Sequence, residues 1–336
     1  MKWVGSASIG ILFIWSSVAL ASGSDMQSCF DMKGNVSAEK QLECYDRVAQ
    51  ENAGKKSTSN SLLRPKGKTL VGEWTPADTP LAAYKQNFFL ITQTNQPNNT
   101  PSSPNPANNV PFTYELGHRE INFQFSFKSS WLLPVESRRH VLWFGYTQNS
   151  FWQIFDNLHS RPFRENNYEP ELIYSYRWSD TNEPSSPYLK IVNAAFEHQS
   201  NGMSDPRSRS WWRFYIQPGF EFPWGSANKV IILPRLWMRI GQSGNPSEDN
   251  NPDITHYMGH GDLEIRDNFS GGFPFFVSSI IRSKSLQLDM GFPVNNLIRD
   301  FTNVNINFHY FTGYGESLID YNQNHKTWGV GILLPY

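Results

Sequence analysis

The sequence predicts an all-β protein, a transmembrane antiparallel β-barrel of about twelve strands. Three observations predict it. From residue 80 onward strand-like stretches alternate with turn-rich ones, and Ile121-Asn-Phe-Gln-Phe-Ser-Phe127 alternates apolar and polar side chains at the two-residue period of a strand. Downstream of the N-terminus no stretch approaches the ~18 consecutive apolar residues of a membrane helix, yet aromatic residues make up 15% of the chain. Many strand ends carry Trp or Tyr, and the chain closes on Tyr336 after Trp328-Gly-Val-Gly-Ile-Leu-Leu-Pro, as a barrel with aromatic girdles would. A mean hydropathy of −0.51 on its own looks like that of a soluble protein, secreted enzymes included, but a barrel's polar interior offsets its apolar outer band and gives a modest average as well. A soluble β-sandwich of this length would usually split into two domains, whereas one closed barrel uses the length without a break.

The N-terminus reads as a secretory signal over residues 1–21. Lys2 supplies the positive start, Ile11 to Trp15 and Val18 to Leu20 the apolar region, and Ala19-Leu20-Ala21 a small-x-small cleavage site. The apolar run is short for an uncleaved anchor. Residues 22–79 form a periplasmic extension and linker. The two cysteines, Cys29 and Cys44, flank a helix-like stretch and are expected to pair in an oxidising compartment. From Gln50 to about Pro80 the composition is Lys, Ser, Asn, Gly and Pro, that of a linker.

The barrel domain occupies residues 80–336. Its expected strands are Asn87–Thr94, Arg119–Phe127, Val141–Asn149, Glu169–Trp178, Leu189–His198, Ser210–Phe220, Val230–Gly241, His256–Asp267, Gly272–Ile281, Ser285–Gly291, Val304–Thr312 and Thr327–Pro335. The Pro/Asn/Ser tract Asn95–Pro111 must be a loop.

One stretch carries chemistry. His198 and Ser200 stand two positions apart at a strand end, with a polar turn directly after. Residues i and i+2 of a strand point the same way, with Cα atoms roughly 6.5–7 Å apart, so an imidazole can reach the hydroxyl. A serine hydroxyl is a poor nucleophile until a base takes its proton, and the two make a candidate catalytic couple. Their face continues through Phe196, Ala194 and Val192; the opposite face carries Glu197, Ala195, Asn193 and Ile191. In a soluble protein the couple would point into the core, and in a barrel it points at lipid. Polar groups facing hydrocarbon lose their hydrogen-bonding water, so the couple there signals function rather than packing.

A formal net charge of −1 argues against a nucleic-acid-binding surface. The segment His198-x-Ser200-Asn-Gly-x-Ser-Asp-Pro-x-Ser208-Arg-Ser-Trp211 resembles the active-site segment of the outer-membrane phospholipase A family. Tyr146-Thr-Gln-x-Ser-x-Trp152, Pro162-Phe-Arg-Glu-x-Asn-Tyr-Glu-Pro170, Asn251-Pro-Asp-Ile-Thr-x-Tyr-Met-Gly259 and Gly313-Tyr-Gly-Glu-Ser-Leu-Ile-Asp-Tyr-Asn322 are similar to further family signatures. The resemblance spans roughly residues 80–336 and says nothing about residues 22–75.

The resemblance implies a twelve-stranded barrel of the bacterial outer membrane with its active site on the outer surface. It implies a calcium-dependent phospholipase A that hydrolyses sn-1 and sn-2 acyl esters of phospholipids and lysophospholipids as a homodimer. Ser200 would be the nucleophile, His198 the general base and the Gly202 amide an oxyanion donor. Calcium would be held by the Met203 carbonyl and the Ser208 hydroxyl, with Ser160 coming from a second subunit. A further aspartate ligand of the family, counted without a gap, falls on Asn250, with Asp249 the charged alternative. The family's third catalytic residue is an asparagine that orients the histidine, and its position holds Trp212, whose indole N–H can only donate. The alternative reading is therefore a barrel with weakened or lost catalysis, a structural or pore protein. A soluble lipase would need a Gly-x-Ser-x-Gly elbow, and none surrounds Ser200.

Overall fold

A computed structural model describes residues 44, 69–76, 81–109, 111–130, 139–178, 188–224, 228–241, 245, 248–269, 274–294 and 304–334. The signal segment, Cys29 of the expected disulfide and most of the expected linker lie outside the described residues. The chain divides into two compact units, Met1–Lys66 and Gly67–Tyr336; the description below concerns the second.

Twelve strands close into an up-and-down barrel: β2 (Asn87–Thr94), β3 (Arg119–Ser129), β4 (His140–Trp152), β5 (Phe163–Arg177), β6 (Leu189–Ser200), β7 (Ser210–Trp224), β8 (Asn228–Ile240), β9 (Gly261–Phe269), β10 (Phe275–Arg282), β11 (Ser285–Pro293), β12 (Asn305–Gly313) and β13 (His325–Leu334). Each pairs antiparallel with its sequence neighbours, and β13 returns to β2 to close the ring. A two-residue strand, β1 (Ala82–Ala83), adds to β3. Closure leaves no edge strand, the condition for a sheet to stand in hydrocarbon.

Alternation decides which way each residue faces. Phe89, Ile91, Phe125, Leu172, Phe196, Ile216, Met238, Phe308, Val330 and Ile332 are exposed, and all lie on the outer wall. Their inward sequence neighbours mix apolar residues such as Leu90 and Ile173 with buried polar or charged ones, including Glu171, Glu197, Asn307 and His309. The interior is stitched by ion pairs: Lys85 to Glu169 at 2.8 Å and to Glu171 at 2.9 Å, Arg213 to Glu197, and Arg235 to Asp262 at 2.7 Å. Tyr84 and Tyr215 both donate to Glu171 Oε2, at 3.0 and 2.7 Å. Beside this network lies a polar cavity of about 170 Å³.

The barrel unit starts earlier than the expected linker boundary at residue 79. Thr69 caps a short helix, α1 (Leu70–Glu73), and Leu70, Val71 and Trp74 are buried. Trp74 packs edge-on against Trp143 and carries the Lys128 ammonium 3.4 Å above its ring. Glu73 pairs with Arg266 at 2.9 Å, and the Leu70 amide donates to Glu221 at 2.7 Å. The segment thus plugs the barrel between β3, β4, β7 and β9. Its charged partners are spread through the distant barrel, so composition alone made it read as linker.

Two expected strands are altered. Residues 254–258 form a helical turn, α2 (Ile254–Met258), and β9 begins only at Gly261, because Gly259 at φ 74° turns the chain between them. The strand expected over Glu169–Trp178 starts at Phe163; its first residues, Arg164, Glu165 and Asn167, are polar yet buried inside.

The loop between β12 and β13 carries one such interior anchor, Glu316. Its Oε2 lies 2.5 Å from His325 Nε2 and accepts the Thr327 hydroxyl at 2.7 Å, while Oε1 lies 3.8 Å from His309 Nε2. Burial would raise its pKa, but the His309 and His325 rings outweigh that and hold the carboxyl well below the usual carboxylate range. A depressed carboxyl pKa contributes stability that is present above the unfolded value, about 4.3, and is lost as pH falls through the folded value. Glu316→Gln is expected to lower unfolding stability near neutral pH by about 3 kcal/mol. The gap to wild type should narrow below about pH 4. Urea titrations in detergent at both pH values check this, and a gap that widens in acid would refute it.

Candidate active site

The site forms where β6 ends and β7 begins, on the side of the barrel with the longest strands. β4, β5, β7 and β8 have 13 to 15 residues, against eight or nine in β9 to β12. Tilted strands of about 9–11 residues already span a bilayer, so the longer ones carry their loops beyond it.

The inward residues hold the outward ones still. Glu197 is buried and paired with Arg213, and Gln199 donates to Glu169 at 2.7 Å while accepting the Trp211 indole at 2.7 Å. Pinned between them on the other face, His198 and Ser200 look outward and are half-buried, next to Phe196, which is 52% exposed. This matches the expected alternation. Register sets Ser200 against Ser210 on β7 and Tyr168 on β5, and His198 against Trp212. Among the described residues no hydrogen bond joins Ser200 to His198; catalytic hydrogen bonds often tighten only around a bound substrate.

The turn after Ser200 is braced by Asn201. Its amide donates to the Arg209 carbonyl at 3.0 Å. Its Nδ2 donates to the Arg207 carbonyl at 2.8 Å, and its Oδ1 accepts the amides of Met203 and Arg209 at 3.3 and 2.9 Å. Gly202 follows at φ 64°, where a Cβ would sit 2.7 Å from the Tyr168 ring; only glycine meets both demands without strain. Buried Arg209 ties the turn to its surroundings by donating to the carbonyls of Ser102, Pro206, Ser208 and Asn108. Burial pulls its pKa below the usual arginine value.

The expected metal ligands separate into three groups. Met203 and Ser208 lie in the braced turn, and no described hydrogen bond engages the Met203 carbonyl or the Ser208 hydroxyl. Asp205 in the same turn presents an exposed carboxylate that accepts from Asn250 Nδ2 at 3.2 Å. Asp249 is a correction. Its carboxylate is buried, grips Arg239 through contacts of 2.9 and 2.7 Å and accepts the Asn251 amide at 3.0 Å. A carboxylate so engaged braces the loop rather than offering itself to a cation. Ser160 lies apart, in the exposed turn between β4 and β5, at φ 62° with Arg161 at φ 54°. No described hydrogen bond or ion pair links Ser160 to His198 or Ser200 within one chain.

Sequence reasoning missed Asn251, which is fully buried and whose Oδ1 accepts the Ser210 amide at 3.0 Å, fixing the start of β7. It stands inside a noted motif, but spacing does not reveal its distant partner. Across from Trp212, His198 Nδ1 is buried with no hydrogen-bond partner. In place of an acceptor the Trp212 ring lies against the imidazole, centroids 4.4 Å apart at 34°.

The donor chemistry fits a hard divalent cation: a backbone carbonyl, a hydroxyl and a nearby carboxylate, all oxygen. A serine beside a base, followed by an exposed glycine in the left-handed conformation, fits acyl transfer.

Comparison with known proteins gives the following. The phospholipase A1 family profile matches residues 74–334. A provisionally named phospholipase A1 of Neisseria meningitidis is 38% identical over 251 residues, which is 72% of this chain and 61% of that protein; the chain thus spans less than two thirds of that relative. The phospholipase A1 of Salmonella typhimurium is 32% identical over 272 residues, covering 76% of this chain and 81% of that protein. Among solved structures, the Salmonella typhi outer membrane phospholipase dimer with bound calcium superposes with a TM-score of 0.64 at 29% identity, over 80% of this chain and 97% of that one.

Proposed function

The chain belongs to the phospholipase A1 family, and from that premise we propose that it is a calcium-dependent outer-membrane phospholipase. It hydrolyses sn-1 and sn-2 acyl esters of phospholipids and lysophospholipids and works as a homodimer. The observation that carries the reading is the outward-facing pair His198 and Ser200, followed by a glycine held left-handed against Tyr168.

Ser200 Oγ attacks the ester carbonyl while a His198 nitrogen takes its proton. The carbonyl oxygen becomes an oxyanion, toward which the Gly202 amide donates. His198 returns the proton to the departing alkoxide, releasing a lysophospholipid or glycerophosphodiester and leaving the acyl group on Ser200. Water, deprotonated by His198, then cleaves that acyl ester and frees the fatty acid. Calcium, held by the Met203 carbonyl and the Ser208 hydroxyl with Ser160 of a second copy, would add positive charge beside the developing oxyanion. The Asp205 carboxylate makes that turn attractive to a cation. A dimer brings in the missing Ser160 and encloses the acyl chain, and by this route calcium, substrate and assembly are linked.

The test is fatty-acid release from phospholipid micelles by the refolded full chain. Chelation is expected to lower release at least about tenfold, with recovery on adding calcium. Equal release with chelator and with calcium would overturn the calcium assignment. No release from a folded dimer would leave a barrel without the activity.

A further inference from the structure

We propose that Trp212 is the positioning residue for His198, holding the imidazole through ring-on-ring contact in a site where no described side chain accepts its Nδ1 proton. The inference rests on the reading of His198 and Ser200 as the catalytic pair.

Three observations meet at this residue. Register places Trp212 directly across from His198 on the same outer face. The ring centroids are 4.4 Å apart with planes 34° from parallel, the closeness of an offset stack. The Nδ1 atom is buried with no hydrogen-bond partner, and the hydrogen bond the imidazole does make is to the Trp211 backbone, so no side-chain acceptor orients the ring. The usual means of orienting a catalytic imidazole is an acceptor at that nitrogen, and an indole has none. Steric contact with a flat, rigid neighbour remains.

The contact also acts on charge. His198 is neutral when substrate binds and becomes an imidazolium as it takes the Ser200 proton. A cation over a Trp face is attracted by the ring's quadrupole, so the contact strengthens as the reaction proceeds. Interactions stronger in the transition state than in the ground state raise kcat rather than lower KM. Among the described residues of β5, β6 and β7, no charged side chain faces outward beside His198. Glu197 and Arg213, the adjacent charged residues, turn into the barrel and pair with each other. The ionisable groups beside the pair on neighbouring strands are the hydroxyls of Tyr168 on β5 and Tyr146 on β4. The other face of Trp212, 46% exposed, looks toward the membrane and is free to meet lipid.

The experiment measures kcat and KM for fatty-acid release, with calcium, for wild type and for Trp212→Phe, Trp212→Leu, Trp212→Asn and Ser200→Ala. The Phe variant keeps a ring against His198 and should hold kcat within ~3-fold, whereas Leu should lower kcat ~10-fold with KM nearly unchanged. Trp212→Asn supplies an amide oxygen that can accept the Nδ1 proton and should match or exceed wild type. Should the Leu variant not fold, Trp212→Met takes its place. A Leu or Met variant with wild-type kcat overturns the inference. So does one whose KM rises while kcat holds, since Trp212 would then serve the acyl chain. Ser200→Ala separates the two readings. An inactive Ser200→Ala beside an unaffected Leu variant sinks only the role of Trp212, and an active Ser200→Ala sinks the catalytic pair itself.

Discussion

Ser200→Ala is expected to cut fatty-acid release by about 10³- to 10⁶-fold, His198→Ala to cost about as much, and the double variant to lose little more. In the proposed mechanism the two groups form one device: the hydroxyl is inert without a base, and the base has nothing to activate without the hydroxyl. Both variants should fold, because their side chains face outward and neither joins the ion-paired interior that holds β6 and β7. A serine-directed phosphonate should label wild type and leave Ser200→Ala unlabelled. Substantial release by Ser200→Ala, or additive losses in the double variant, would place the nucleophile elsewhere.

Gly202→Ala is the second large effect, about 10²- to 10³-fold in kcat, the usual cost of a lost oxyanion donor. An alanine there must hold φ 64° with its Cβ 2.7 Å from the Tyr168 ring. The left-handed conformation alone costs about 1–2 kcal/mol, so the turn will shift and carry the amide with it. Relieving the clash with a simultaneous Tyr168→Ala should recover part of the rate, since the backbone preference would remain. A folded Gly202→Ala enzyme at wild-type kcat would show that this amide does not hold the oxyanion.

Much of this architecture was legible because a barrel wall imposes a two-residue period. The strand through Ile121–Phe127 and the shared face of Phe196, His198 and Ser200 follow from alternation, and the barrel turns that face outward. What was hidden is what the interior does to polar residues. Arg164, Glu165 and Asn167 lie in β5 although their polarity reads as loop, since a barrel lumen satisfies them with partners such as Glu120 and the backbone of Leu318 and Ile319. The same blindness concealed the α1 plug, whose partners Glu221 and Arg266 are remote in sequence. In the site, local spacing gave His198 and Ser200, and the family resemblance supplied Gly202. The engagement of Asp249 by Arg239 and the anchoring of Ser210 by Asn251 depend on the connection after β8 folding back onto the ends of β8 and β7, which one sequence does not display. Trp212 was read as a missing acceptor, and only its ring contact with His198 gives it a role.

Because Ser200, the proposed nucleophile, looks out from the wall rather than into the lumen, its encounters with substrate would take place in two dimensions. A lipid reaches the serine by sliding within its own leaflet and need not leave the membrane. The relevant concentration is then the mole fraction of phospholipid in that leaflet, and the volume of the surrounding medium drops out. Diluting vesicles should leave turnover unchanged, while diluting phospholipid within the surface with a non-hydrolysable amphiphile should slow it. In a leaflet poor in phospholipid such an enzyme stays idle, and it becomes active as phospholipid accumulates around it.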